Sequence, residues 1–186
     1  MKNCILFFII GMLVVGKSVI AQIPAKVIQG QLLIDDGSPI LRAAKYKPAI
    51  DSLDKNLKAN PNDTTSLFYR ALLYDQFNNQ LAKPSYSDND ASSKLTVALD
   101  LCEKAIGLKM RDFRLLVLRA QIYRDLVYRY SGDESWKFNT KQIAERRNLF
   151  NYYKDLANTY YGKLETLDKV NAHNYHNLMI SSKYRL

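Results

Sequence analysis

Between residues 44 and 125, apolar side chains recur every three or four positions, which is the spacing of one face of an α-helix. Pro61 and Asn62 interrupt this spacing, and Asp63 follows them as a candidate helix cap. Glycine is scarce, and strand-like alternation is rare after Ile40. The pattern therefore predicts an all-α fold in which antiparallel helices are joined by short turns.

The pattern of polar and apolar positions occurs twice. A shift of 49 residues places Asp51 on Asp100 and Arg70 on Arg119. One amphipathic helix pair cannot bury its apolar face alone, so we expect the two copies to stack on each other. The residues that this alignment predicts to pack between helices are Ala49, Leu53, Leu67, Ala71 and Tyr74 in the first copy and Ala98, Cys102, Leu116, Ala120 and Tyr123 in the second.

Two segments of the first copy carry a family resemblance. The segment "KYKPAIDSLDKNLKANPND" (residues 45–63) resembles the second helix of a tetratricopeptide repeat, and "SLFYRALLY" (residues 66–74) resembles the first helix of the next repeat. The resemblance covers about residues 44–125, although Met110 stands where the family has a proline and the match fades after Tyr123. It implies antiparallel helix pairs stacked as a short right-handed solenoid.

The rest of the domain consists of an insertion and a C-terminal region. Residues 78–93 are polar and predict an inserted loop. An apolar stripe from Ile143 to Leu167 predicts a long helix, and "YHNLMISSKY" (residues 175–184) predicts a final helix that closes the stack. The predicted helical domain therefore spans residues 44–186.

The N-terminus has the pattern of a secretory signal peptide over residues 1–21. Lys2 precedes an uncharged stretch of twelve residues, and the small residues Val19 and Ala21 suit a cleavage site. Cleavage after Ala21 leaves an N-terminal segment, residues 22–43, ahead of the helical domain. We expect an exported protein, periplasmic or secreted; an uncleaved membrane anchor is the alternative.

The sequence offers little chemistry. Removal of the signal peptide takes Cys4 away, so Cys102 is left as a buried thiol, with an intermolecular disulfide or a reactive thiol as alternatives. His173 and His176 lack a third ligand nearby, so we predict no metal and no cofactor.

No phosphate-binding glycine loop, nucleophile elbow or paired-carboxylate motif is present. We therefore predict a protein that is not an enzyme; an unrecognised hydrolase is a minor alternative.

Charge is distributed unevenly along the chain. Residues 22–103 carry 9 Lys and Arg against 10 Asp and Glu, whereas residues 104–186 carry 16 against 8 and hold nine of the thirteen tyrosines. A basic half attracts acidic proteins, anionic lipids or nucleic acid. Export argues against nucleic acid, and a solvated helix surface is the simplest explanation of the charge.

The family resemblance implies a protein-interaction module that binds a partner segment in a helical groove. The expected partner is a protein or peptide with acidic residues. The residues predicted to line this groove are Phe68, Leu72, Arg114, Val117, Gln121, Arg124 and Tyr128. The simpler alternative is that Arg114 and Arg124 pair with Asp112 and Asp125. A binder of membrane surfaces or envelope polyanions through the basic, tyrosine-rich half is the second candidate function.

Overall fold

A computed structural model describes residues 23–83, 88–131 and 135–185 of the chain. The predicted signal peptide lies outside the described residues. The elements, in chain order, are the strands β1 (Ala25–Ile28) and β2 (Gln31–Ile34) and the helices α1 (Lys47–Ala59), α2 (Thr64–Gln76), α3 (Asn78–Leu81), α4 (Asp88–Gly107), α5 (Phe113–Tyr130), α6 (Thr140–Leu167) and α7 (Ala172–Asn177). Short 3₁₀ turns precede α1, α6 and α7.

Helices α1 and α2 form an antiparallel pair with a tight turn between them. Pro48 lies in the first turn of α1, where its missing N–H costs nothing. Asp63 caps α2 by accepting a hydrogen bond from the backbone N–H of Ser66 at 3.0 Å. The Arg70 guanidinium donates to the Asp54 carboxylate at 2.6 Å, which joins the two helices at mid-length.

Helices α4 and α5 repeat these features 49 residues later. Asp112 caps α5 by accepting from the Arg114 backbone N–H at 2.9 Å, and Arg119 lies 3.4 Å from Glu103. The cap and the ion pair therefore occupy matching positions in both pairs. Among the residues predicted to pack between helices, Leu53, Leu67, Ala71, Ala98, Cys102, Ala120 and Tyr123 are buried, and Ala49, Tyr74 and Leu116 are half-buried. The prediction of a mainly helical fold with packed helices is confirmed.

The segment 22–43 contains a β-hairpin that the sequence reading did not predict. Gln29 and Gly30 both have positive φ, 50° and 80°, as a two-residue hairpin turn of type I′ requires. A Cβ on Gly30 would lie 3.0 Å from the Leu178 side chain, so a larger residue here would also require that side chain to shift. Strand β2 packs on α5, and Leu32 is fully buried.

The predicted loop at residues 78–93 is largely wrong. Helix α3 begins at Asn78, and α4 already begins at Asp88, so only the short connection between them separates two helical segments. The Asn78 side-chain amide donates to the Ala91 carbonyl at 2.7 Å, and Ala91 and Leu95 are buried. This polar stretch is therefore helical because tertiary contacts on one face order it.

The predicted final helix at residues 175–184 is also largely wrong, since α7 spans Ala172–Asn177 and shares only residues 175–177 with it. Helix α7 ends at Asn177, and the following residues run back along α6 without regular structure. Asn158 on α6 holds this segment at both polar groups of Ile180, since its side chain donates to the Ile180 carbonyl at 3.0 Å and accepts from the Ile180 N–H at 2.7 Å. A side-chain amide thus replaces the helical hydrogen bonds of this residue.

Tyrosines fill the interface between α5 and α6. The rings of Tyr123 and Tyr160 stack with centroids 5.4 Å apart, and those of Tyr130 and Tyr153 stack at 5.9 Å. The Arg119 guanidinium lies 3.8 Å from the Tyr160 ring centroid, which is a cation–π contact. Much of the tyrosine content of the basic half is therefore used in packing.

Candidate functional site

The N-terminal hairpin occupies the α5 side of the groove predicted for a partner segment, since β1 and β2 both pack on α5. Phe68, Leu72 and Val117 are buried, and they belong to the same apolar cluster as Leu32 of β2. An external segment would have to displace the hairpin to reach α5. Binding of a partner at these three residues therefore stays a prediction. The chain's own hairpin would compete with such a partner for the groove.

The polar members of the predicted groove contact the hairpin backbone or side chains. Gln121 holds Leu32 at both polar groups, accepting from its N–H at 2.9 Å and donating to its carbonyl at 3.3 Å. Arg124 donates to the Gln31 side chain at 2.7 Å, and Arg114 lies 3.5 Å from the Ala25 carbonyl oxygen. These residues thus bind an extended peptide segment, and that segment is the chain's own.

Both groove arginines also have acidic neighbours. The Arg114 guanidinium lies 2.6 Å from the Asp112 carboxylate, and Arg124 lies 3.5 Å from Asp125. The simpler alternative, in which these arginines pair within the chain, therefore describes contacts that are present. Tyr128 differs from the other six groove residues because it is 61% exposed and faces a second cavity.

This second cavity is an open cleft of about 1110 Å³ at the ends of α2 and α5, and we call it the polar cleft. It lies between α3 and the start of α4 on one side and the start of α6 on the other. Neutral hydrogen-bonding side chains form the first wall: Asn78, Asn79, Gln80, Asn89, Ser92, Ser93 and Thr96. Amides and hydroxyls of this kind can both donate and accept, which suits an extended polar ligand.

The opposite wall is aromatic and basic. Arg146 lies with its guanidinium carbon 4.2 Å from the Phe138 ring centroid and 5.4 Å from that of Tyr130, and it donates to the Arg129 carbonyl at 2.9 Å. Arg129 in turn donates to the side-chain oxygens of Asn78 and Asn79 on the first wall. In the part of the chain that the structure describes, no carboxylate pairs with Arg146, and its Nε is buried without an acceptor. Lys137 adds a third cation to this wall.

The floor of the polar cleft contains a pair of carboxyl groups, Asp75 and Asp125. Burial and the neighbouring Asp125 carboxylate raise the pKa of Asp75 well above its usual value. Burial also raises the pKa of Asp125, but Arg124 opposes this effect, and the Asp125 side chain keeps 33% of its surface exposed. We therefore assign the shared proton to Asp75, which leaves the pair with one negative charge.

Asp75 also connects the polar cleft to the hairpin. Its Oδ2 accepts from the Gln121 side-chain amide at 2.6 Å, and the same amide group holds Leu32. Its Oδ1 is buried, and no described group donates a hydrogen bond to it. A proton on Oδ1, shared with Asp125, would give this atom a partner. A protonated Asp75 satisfies both oxygens, because it donates to Asp125 and accepts from Gln121.

The polar cleft was not found from the sequence. Asp75 follows the apolar stripe of α2, but a single acid at a helix end has no specific meaning in a sequence. The cleft residues come from four separate segments, and the insertion that supplies one wall was predicted as a loop. The exposed Tyr128 is the one member that the groove prediction included.

The histidines are placed outside this site. His173 lies 2.9 Å from the Asn177 side chain, and His176 Nδ1 lies 3.7 Å from Glu165. Among the described residues, no three potential metal-ligating side chains of His, Cys, Asp or Glu come together. Cys102 is a buried thiol, and burial raises its pKa above the usual range.

The chain matches no protein-family model, no curated protein and no solved structure. Function must therefore be inferred from the described geometry. Within the described residues, no helix has both the length and the apolar character that crossing a membrane requires.

Proposed function

We propose that this protein is an exported, non-enzymatic interaction module that binds an extended partner segment in the polar cleft. The main observation behind the proposal is that a groove occupied by the hairpin lies next to an open cleft. The groove beside the cleft already holds an extended segment of the chain, whereas the cleft of about 1110 Å³ is open and has both hydrogen-bonding and aromatic walls.

The way in which the molecule holds its own extended segments supports a peptide ligand. Gln121 binds both backbone groups of Leu32, and Asn158 binds both backbone groups of Ile180. The first wall of the polar cleft contains four amide side chains of the same type, of which Asn78, Asn79 and Gln80 already make hydrogen bonds within the chain. Amides recognise a peptide backbone without regard to its side chains, so the aromatic and basic wall would supply selectivity.

We further propose that the helices α1, α2, α4 and α5 belong to divergent tetratricopeptide-like repeats in a short right-handed solenoid. The matching caps, Asp63 and Asp112, and the matching ion pairs at a separation of 49 residues support this interpretation. Repeats of this type present the first helix of each repeat to a ligand. In the register of the resemblance, α1 is the second helix of one repeat and α2 is the first helix of the next, so the presented helices would be α2 and α5, and both end at the polar cleft.

A binder of anionic membrane surfaces or envelope polyanions is the second candidate. Trp136 is 76% exposed and precedes Lys137, which is a combination suited to a lipid interface. The tyrosines of the basic half argue against it, because many are packed between α5 and α6. Sedimentation with anionic vesicles at two salt concentrations separates the candidates, since charge-driven lipid binding fades with salt.

A tryptophan placed in the cleft tests the proposed function. We expect panning of a random twelve-residue peptide library on the wild-type protein to enrich peptides that bind with micromolar affinity. Replacing the exposed, cleft-lining Thr96 with Trp should weaken these peptides at least tenfold by filling the cleft. The matched control is Val97→Trp, because Val97 is the next residue of α4 and is exposed outside the cleft. Equal affinities for both variants would remove the cleft as the binding site.

Export is tested on native material. If residues 1–21 are a cleaved signal peptide, the mature chain begins at Gln22, and it is found in the periplasm or the medium. N-terminal sequencing of the purified native protein determines the first residue of the mature chain. Recovery of an intact Met1 in the membrane fraction would contradict export by cleavage.

A further inference from the structure

We infer that the polar cleft selects an acidic segment, with a ligand carboxylate on Arg146, and that this binding retains a proton on the Asp75–Asp125 pair. The inference rests on the proposed function, since it names the partner chemistry and the proton linkage of the same cleft. Its basis is a preorganised cation on one wall, which no described carboxylate pairs with, and a proton-sharing carboxyl pair on the floor.

Arg146 has the features of an anion-binding residue. Two aromatic rings and the Arg129 carbonyl fix its guanidinium, so little side-chain entropy remains to be lost when a ligand binds. No described carboxylate satisfies it, and its buried Nε has no acceptor. Arg146 as a whole is only half-buried, so a ligand carboxylate would form charge-assisted hydrogen bonds with the part of the guanidinium that lines the cleft.

The charges of the polar cleft favour an anion over a cation. Arg146 lines the cleft and has no described carboxylate partner, while the two floor aspartates together carry one negative charge when they share a proton, and Arg124 lies 3.5 Å from Asp125. A basic segment would therefore meet the unneutralised Arg146 guanidinium. An acidic segment would pair with this cation, provided that the floor keeps its proton.

Proton linkage follows from the surroundings of the pair. The titratable or charged groups that face it are Arg124 and Arg129 on α5, Tyr128 on α5, Tyr161 on α6 and Cys102 on α4. The arginines stay charged at all pH values of interest, and burial raises the pKa of both Tyr161 and Cys102. Loss of the shared proton is therefore the charge change expected at the floor as the pH rises above the usual range of an aspartate. It adds a second negative charge to the cleft and weakens an anionic ligand.

The test uses two synthetic, end-capped ten-residue peptides of matched Tyr, Ser and Gly content, one with four Glu and the other with four Lys. Titration calorimetry at pH 5.5, 7 and 8.5 measures both. We expect the Glu peptide to bind at least tenfold more tightly than the Lys peptide at pH 5.5. Its affinity should fall roughly 3- to 10-fold by pH 8.5, as one added charge near the ligand predicts. Calorimetry in two buffers of different ionisation enthalpy should show proton uptake at intermediate pH.

Three variants locate the effect. Arg146→Gln should reduce the affinity for the Glu peptide at least tenfold, whereas Arg147→Gln, which removes the same charge from the next residue outside the cleft, should change it less than twofold. Asp75→Asn should keep the affinity at its acidic value at every pH, because the amide mimics the protonated acid. If Arg146→Gln does not fold, Arg146→Lys replaces it, with an expected loss of three- to tenfold from the lost bidentate geometry.

The outcomes separate the inference from the proposed function. If the two peptides bind equally well and Thr96→Trp blocks both, the cleft binds peptides but the acidic selectivity is wrong. Tighter binding of the Lys peptide, an unchanged affinity in Arg146→Gln, or a pH dependence that persists in Asp75→Asn would each overturn the inference. If neither peptide binds the wild-type protein at any pH, the inference fails, and the library panning decides the proposed function separately.

Discussion

Replacing Leu32 with Ala is expected to lower the free energy of unfolding by about 2–5 kcal/mol, the usual cost of a large-to-small change in a core. Leu32 is fully buried on the face of the hairpin that packs on α5, in the same cluster as Phe68, Leu72 and Val117. Its removal leaves a cavity over the face of α5 that the hairpin covers. Urea unfolding followed by circular dichroism measures the change.

The matched control is Ile28→Ala on the opposite face of the hairpin. Ile28 is 41% exposed, so its truncation should cost less than about 1 kcal/mol. If the two truncations have the same small cost, the hairpin is not part of the core. The groove would then be available to a partner, as the sequence alone suggested.

Substitution of Asp75 is expected to cause the second large change in the free energy of unfolding, and the size of this change depends on pH. Because the pKa of Asp75 is raised by folding, the folded protein retains a proton that the unfolded chain releases above the usual Asp pKa. The free energy of unfolding should therefore decrease as the pH rises from the usual value towards the raised one. Asp75→Asn should be about 1–3 kcal/mol more stable than the wild type at pH 8 and close to it at pH 4.5.

The physical reason is that Asn mimics the protonated acid. Its amide donates to Asp125 and its oxygen accepts from Gln121, whereas Asp75→Leu leaves the Gln121 amide without this acceptor and should cost about 1–3 kcal/mol at both pH values. Asp51→Asn at an exposed site on α1 is the control and should be neutral. Unfolding midpoints measured across pH would contradict the assignment if Asp75→Asn were the less stable protein at pH 8.

The helices and their packing were accessible from the sequence, because they depend on local spacing. The three- and four-residue periodicity identified α1, α2, α4, α5 and α6, and the inward positions Ala71 and Ala120 are fully buried. Aspartates before α2 and α5 act as caps, as Asp63 was predicted to do. The family assignment itself remains a proposal.

The hairpin and the cleft were not accessible, because they depend on contacts between distant segments. The turn at Gln29 and Gly30 was the available signal for β1 and β2, and only the fold shows that this hairpin lies on α5. The contact between Gln121 and Leu32 spans 89 residues, and that between Gln121 and Asp75 spans 46. The sequence alone does not distinguish a polar residue that faces solvent from one that hydrogen-bonds to a buried strand, because both lie on a helix face with the same spacing.

The segment at residues 78–93 is a second case in which contacts between distant segments, and not local composition, determine the structure. Its polar composition is typical of a loop, yet Asn78 and Ala91 are joined by a side-chain hydrogen bond and most of the stretch is helical. Local propensity was overridden by packing against α5 and α2. This override also supplies one wall of the polar cleft.

The central claim is that a partner segment binds the polar cleft while the hairpin stays in its groove. Hydrogen–deuterium exchange with a bound, panned peptide tests it most directly. The account predicts added protection in α3, the start of α4 and the end of α5, with unchanged exchange at the Leu32 amide, which is hydrogen-bonded to Gln121. Faster exchange at Leu32, together with protection along the middle of α2 and α5, would show that the partner displaces the hairpin and would contradict the account.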